Sequence, residues 1–177
     1  WVAQSGTWTL TGGQLQGGPS PVQSYGYAWL SNNWADCKVQ ARFQFAAGAF
    51  GGGLGGRLNP VTGAHYAAWI YPETSPGGAG TLKLLKFLNW SSYSTMDQVS
   101  LPPVSTNWHA LRITFQGKVI MVSCDESLLL TVTDTGAQQY VSGGISLDMW
   151  TGSTPYVMAA DDVLVGPGGG LRGRSRL

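Results

Sequence analysis

The chain has 177 residues, of which 43% are hydrophobic and 11% are charged, and its formal net charge is +1. This length suits one domain, and the hydrophobic content is that of a globular protein. The sequence has no apolar run of about 18 residues, which excludes a transmembrane helix. The near-zero net charge gives no basic surface, which argues against nucleic acid as a partner.

The pattern of the middle of the chain predicts strands almost throughout. Residues 37–45 alternate apolar and polar side chains, and residues 111–116 and 145–150 do the same. This period of two is typical of half-buried antiparallel strands. In chain order, the further predicted strands include 8–10, 14–16, 82–89, 119–124, 128–133 and 163–165.

About eleven to thirteen short strands separated by turn signals indicate an all-β, two-sheet antiparallel β-sandwich of the jelly-roll type. No repeat of constant length is present, which disfavours propellers and solenoids. We assign residues 1–165 to this one domain. Residues 166–177 are rich in Gly and Arg and have no hydrophobic period, so we interpret them as a flexible tail or linker.

Several short motifs carry a resemblance to a known family. They are WADC (34–37), GRLNP (56–60), GAHY (63–66), LKLLK (82–86), WHALR (108–112), VSCD (122–125), GGISL (143–147) and DDVLV (161–165). Their order resembles that of bacterial concanavalin-like, laminin-G-like sandwich domains. The chain has Asp125-Glu126 where that family usually has Asp-Gly, so this hairpin turn is expected to differ in its turn type.

The resemblance implies two packed antiparallel sheets in an extracellular or cell-surface protein. We therefore expect the domain to belong to a larger multidomain protein. It does not imply one activity, because this fold includes lectins, carbohydrate-binding modules, hydrolases and lyases.

Aromatic residues give the stronger functional signal, since the chain has 8 Trp and 7 Tyr. A Trp ring packs on the C–H face of a sugar while nearby polar groups bind its hydroxyls. Strand parity puts His65, Trp69 and Tyr71 on one face, and we predict that Arg57 and Lys86 join them in one groove. The predicted ligand-binding residues are Arg57, His65, Trp69, Tyr71, Lys86, Trp90, Asp148 and Trp150.

The leading prediction is a non-catalytic, lectin-like module that binds an oligo- or polysaccharide. One alternative is a polysaccharide lyase or glycoside hydrolase in which Arg57, His65 and Tyr71 act on the substrate. The sequence has no alternating run of acids of the kind that concanavalin-like glucanases use, which disfavours that hydrolase chemistry. A second alternative is an architectural or adhesive spacer domain.

Metal and thiol chemistry have little support in the sequence. The chain has only 2 His and no paired zinc motif, so zinc is not favoured and no cofactor is expected. Asp161 or Asp162 could bind calcium, although a capping hydrogen bond is the preferred role. Cys37 and Cys124 are the two cysteines, and the pattern leaves open whether they form a disulfide or are free and buried.

Overall fold

A computed structural model describes residues 1–168, in which the regular structure consists of fourteen strands. They are β1 (Val2–Ser5), β2 (Thr7–Thr11), β3 (Gln14–Gly18), β4 (Tyr25–Trp34), β5 (Cys37–Phe45), β6 (Gly51–Leu58), β7 (His65–Tyr71), β8 (Thr81–Asn89), β9 (Ser92–Ser100), β10 (Trp108–Gln116), β11 (Val119–Cys124), β12 (Ser127–Thr133), β13 (Gly143–Trp150) and β14 (Met158–Pro167).

The strands form two seven-stranded sheets. Sheet A has the order β1-β4-β13-β6-β7-β8-β9, and sheet B has the order β12-β11-β10-β5-β14-β3-β2. The neighbouring strands pair antiparallel, as in the contacts of β7 with β8 and of β10 with β5. The predicted two-sheet antiparallel sandwich is therefore confirmed.

The main core lies between the two sheets and follows from the period-two patterns. In β5, side chains at alternate positions are buried, including Phe43 and Phe45, while those between them are more exposed. Leu54, Ile70 and Leu147 of sheet A belong to the same buried cluster. Side chains from the inner faces of both sheets thus meet in one hydrophobic layer, as sandwich packing requires.

The two cysteines, Cys37 and Cys124, are both free and buried in sheet B. Of the two alternatives that the sequence left open, the structure therefore has the free thiols. Among residues 1–168 no helix is long and apolar enough to cross a membrane.

The structure contains strands that the prediction lacked. The prediction missed β1, β4 and β9, and the nine residues of β9, the edge strand of sheet A, are mostly polar and exposed. Within the predicted tail, residues 166 and 167 belong to β14, and the Gly168 N–H donates to the Asp36 carbonyl. The remainder of that tail, residues 169–177, lies outside the described residues.

Candidate functional site

The outer face of sheet A, which turns away from sheet B, carries a second cluster of buried side chains. In β7, Tyr66, Ala68 and Ile70 point to the main core, whereas Ala67, Trp69 and Tyr71 belong to the second cluster. The predicted shared parity of His65, Trp69 and Tyr71 is confirmed. We call this surface the aromatic face, and its members are Tyr25, Tyr27, His65, Trp69, Tyr71, Phe87, Trp90, Tyr93 and Trp150.

A glycine-rich strand lets one carboxylate cross the aromatic face. Gly53 of β6 pairs with Asp148 on one side and with Trp69 on the other. A Cβ atom at Gly53 would lie 1.9 Å from the Ala68 carbonyl oxygen, so this position requires glycine. Because β6 presents no side chain at Gly53, Asp148 extends over the strand and accepts a 2.9 Å hydrogen bond from the Trp69 indole.

His65 is held rigidly below the same carboxylate. Its Nδ1 lies 2.7 Å from the Gly63 carbonyl oxygen and its Nε2 lies 3.1 Å from Asp148 Oδ2. The ring also stacks on Phe87 at 4.4 Å between centroids. His65 is 0% exposed, so its contacts position Asp148 and Trp69 rather than reach a molecule from solvent.

A partly exposed aromatic layer covers these buried groups. Trp90 contacts Tyr27 at 5.0 Å between ring centroids, and Tyr25 stacks on Trp150 at 6.1 Å. Tyr93 lies at the rim of this layer and is 38% exposed. Of these rings, those of Tyr25, Trp90, Tyr93 and Trp150 are the ones that a ligand can reach.

The hydroxyls of Tyr25, Tyr27 and Tyr71 stay protonated at neutral pH. Burial, with a smaller contribution from the neighbouring Tyr93, raises the pKa of Tyr25 to about 12. Burial likewise raises the pKa of Tyr27 and Tyr71. The Tyr27 hydroxyl is buried and has no hydrogen-bond partner among residues 1–168. It is therefore a neutral donor and acceptor without a protein partner.

An open cavity of about 260 Å³ is lined in part by Tyr27. The aromatic part of its wall consists of Tyr25, Tyr27 and Trp90. Its polar rim consists of short side chains from three separate segments, namely Gln4, Ser5, Gln23, Ser24 and Ser91. The cavity thus combines flat apolar rings with neutral hydrogen-bonding groups.

The prediction that Arg57 lies in one groove with His65 and Trp69 is wrong. Its guanidinium is buried and donates to the carbonyl oxygens of Ala35, Gly117 and Tyr140. It also forms a 3.2 Å ion pair with Asp36. Arg57 has a φ of 53°, and the pairing of β13 with β6 is irregular next to it. This backbone irregularity breaks the alternation on which the prediction depended, so Arg57 points to the end of the sandwich.

The prediction that Lys86 lies in the same groove as Trp69 is also wrong. In the register of β7 with β8, Lys86 is opposite Tyr66, which faces the main core, whereas Trp69 is opposite Lys83. Lys86 Nζ instead forms a 2.6 Å ion pair with Asp134. The lysine on the aromatic face is Lys83, whose ammonium lies 4.8 Å from the Tyr71 ring centroid.

The remaining predicted residues have clear positions. Trp90, Asp148 and Trp150 come together with His65, Trp69 and Tyr71 on the aromatic face. At the other predicted site, Asp161 and Asp162 both lie against Arg42, at 3.6 Å and 2.8 Å. The Asp162 N–H donates to Asp161 Oδ1, in line with the expected capping role, and calcium at these residues stays a prediction.

The sequence analysis missed Tyr25, Tyr27, Tyr93 and Lys83. The first two could have been found, because YGYAW (25–29) places aromatic residues at every second position. The polar rim of the cavity gave no such signal. Gln4 and Ser91 are far apart in the sequence, and only the fold brings them to one cavity.

Comparison with known proteins bears on the fold. No protein-family model matches the sequence, and no curated protein matches it. Among solved structures, the carbohydrate-binding module CBM66 from Bacillus subtilis superposes with a TM-score of 0.78 at 18% identity, covering 93% of this chain and 94% of that one. The fold is that of the concanavalin-like sandwiches.

Two other sandwiches of this fold are similar as well. The Bacillus licheniformis β-glucanase matches with a TM-score of 0.64 at 11% identity, over 89% of this chain and 80% of that one. The carbohydrate recognition domain of Emp46p matches with a TM-score of 0.67 at 10% identity, over 93% and 87%. The similar sandwiches therefore include binding modules and a hydrolase, and the fold alone does not decide between them.

Proposed function

We propose that this protein is a non-catalytic carbohydrate-binding module that binds an oligo- or polysaccharide at the aromatic face. The observation that carries the proposal is the cavity lined by Trp90, Tyr25 and Tyr27, in which the partly exposed rings of Trp90 and Tyr25 meet a rim of neutral polar side chains. Sugars present both an apolar C–H face and a ring of hydroxyls, so a site for them needs both kinds of surface.

The details of the cavity favour a neutral sugar. Its volume of about 260 Å³ is near the ~300 Å³ lower end for small-molecule sites, which suits one sugar unit better than a long chain segment. A chain end or a single branch is therefore the expected ligand.

The similar structures support this proposal, since CBM66 and the Emp46p domain are carbohydrate-binding by name. We also propose an extracellular or cell-surface location, in line with the resemblance carried by the sequence motifs. A lyase or hydrolase centred on Arg57, His65 and Tyr71 has less support. Arg57 is separated from the other two, and His65 is fully buried.

A glycan array followed by calorimetry tests the proposal. We expect binding to at least one glycan, without release of reducing ends or unsaturated sugars. Trp90→Ala and Tyr25→Ala should each weaken binding at least about tenfold, because each removes part of the aromatic wall.

The matched control is Trp108→Ala. Trp108 is also partly buried, but it lies in sheet B beneath Arg42. Its loss should leave glycan binding unchanged. Binding that is equally weakened by all three substitutions, or that is absent for every glycan, would refute the proposal and favour the alternative of an architectural domain.

A further inference from the structure

Three potential metal ligands converge at one end of sheet B, at a place unrelated to the aromatic face. The antiparallel pairing of β10 with β11 puts Leu111 opposite Cys124, which brings His109 close to Cys124 and Asp125. One ligand atom from each of these three residues lies within 4.8 Å of the others. Imidazole, thiolate and carboxylate are the ligand types that zinc sites in proteins use.

The orientation of His109 makes Nδ1 the candidate ligand atom. Its Nε2 lies 3.0 Å from the Val104 carbonyl oxygen, and a carbonyl can only accept. Nε2 therefore carries a proton and donates it. A histidine that binds a metal through one nitrogen usually donates its other N–H to a carbonyl or carboxylate in this way.

Nδ1 faces a second acceptor. It lies 2.7 Å from Asp125 Oδ2, so two candidate ligand atoms, one nitrogen and one oxygen, are side by side. The carboxylate cannot turn away freely, because its Oδ1 accepts a 2.8 Å hydrogen bond from the Ala110 N–H.

The third ligand and the space for an ion are also present. Cys124 is buried, and a cavity of about 60 Å³ is lined by His109, Cys124 and Asp125 together with residues 101–104. The Asp125 side chain is 53% exposed, so an ion can enter from solvent. Ligand atoms around a tetrahedral zinc lie roughly 3–4 Å apart, so small side-chain rotations would close the site.

We propose that His109 Nδ1, Cys124 Sγ and Asp125 Oδ2 bind Zn²⁺, with a water molecule in the fourth position. Thiolate and imidazole select zinc over calcium or magnesium, which prefer oxygen ligands. The site goes beyond carbohydrate binding and is independent of it, since it lies in the other sheet. Pattern reading missed it because Asp125 follows His109 by 16 residues and no short motif joins them.

Zinc binding at this site should release protons. Zinc binds cysteine as the thiolate, so the affinity should rise with pH.

Cobalt titration of the full chain, reduced and without a polyhistidine tag, tests the site. Co²⁺ should produce a near-ultraviolet sulfur-to-cobalt charge-transfer band, and Zn²⁺ should abolish that band by displacement. Cys124→Ser should eliminate the band, whereas Cys37→Ser should keep it, since the two buried thiols are the only ones in the chain. Absence of the band from the unsubstituted protein, or its persistence in Cys124→Ser, would overturn the proposal.

A second variant keeps the site testable even when Cys124→Ser does not fold. Asp125→Asn removes the anionic ligand but keeps an oxygen that can accept from the Ala110 N–H. It should weaken Zn²⁺ binding, measured by competition with a chromogenic chelator, more than about tenfold. Asp97→Asn, an exposed acid on β9, is the matched control and should bind zinc unchanged. Equal affinity of these two variants would place the metal elsewhere and refute the assignment.

Discussion

The indole N–H of Trp69 donates to Asp148 Oδ2 at 2.9 Å, although β6 lies between the strands that carry the two residues. The contact is possible because Gly53 separates them in the register of sheet A. His65 contacts the same oxygen. A buried polar network thus fixes the ring that underlies the aromatic face, and the candidate sugar site rests on a rigid base.

Replacing Asp148 should therefore destabilise the whole domain. Asp148→Ala leaves the Trp69 N–H and the buried His65 without their shared acceptor, and we expect a loss of about 3–5 kcal/mol in the free energy of unfolding. Urea denaturation followed by tryptophan fluorescence measures it. Asp97→Ala, at an exposed position, should stay within about 0.5 kcal/mol of the unsubstituted protein. A loss below 1 kcal/mol for Asp148→Ala would contradict the network.

Arg57 should be a structural residue rather than a ligand-binding one. Arg57→Met removes the donor to three carbonyl oxygens and leaves them without that partner, so it should cost about 3–5 kcal/mol. Thermal and urea unfolding measure the loss. The control is Arg42→Met, whose ion pairs with Asp161 and Asp162 are half-exposed and contribute at most about 1 kcal/mol. Similar costs for the two substitutions would refute this role.

Acid should weaken the ion pair between Lys86 and Asp134. Burial acts to raise the pKa of Asp134, but hydrogen bonds from Lys86 and Tyr66 outweigh it and hold the pKa below its usual value. The resulting stabilisation is complete above the unfolded-state pKa of about 4 and is lost as the pH falls through the lower folded-state value.

Asp134→Asn should remove this acid dependence. At pH 7 we expect the variant to be less stable by about 1–3 kcal/mol, and the difference should shrink as the pH falls below about 4. Urea midpoints measured across this pH range give the comparison. A difference that is constant with pH would show that the charge of Asp134 contributes nothing.

The hairpin turn between β11 and β12 stores backbone strain. Asp125 and Glu126 have φ values of 47° and 70°, a conformation that L-residues adopt at a cost. Glu126→Gly should therefore stabilise the protein by about 1 kcal/mol, as judged by urea unfolding. The neighbouring Ser127→Gly, at a strand position without positive φ, should instead destabilise it. A loss of stability in Glu126→Gly would contradict the assigned strain.

Both thiols should be protected in the folded protein. Burial raises the pKa of Cys37, and burial with the charge of Asp125 raises that of Cys124 to about 12, so little reactive thiolate exists at neutral pH. With a chelator present, a thiol-specific reagent should react slowly in buffer and should label two thiols rapidly in denaturant. Fast labelling of the native protein would refute this protection.

The sequence by itself determined those features that depend on the alternation of side-chain direction along a single strand. The period of two in residues 37–45 set which side chains of β5 face the core. Strand parity in residues 65–71 placed His65, Trp69 and Tyr71 on one face. Side-chain direction alternates along any strand, so this information is present within each segment. The count and order of such segments then indicated the sandwich.

Only the tertiary structure decided how one strand is aligned with the next. Register put Lys83 rather than Lys86 beside Trp69, and a backbone irregularity turned Arg57 to the end of the sandwich. A shift by one residue reverses a strand's two faces without any change in its own pattern. The sugar cavity and the cluster of His109 with Cys124 likewise join residues that are distant in sequence. Their proximity follows from strand pairing, which depends on the whole core rather than on any single segment.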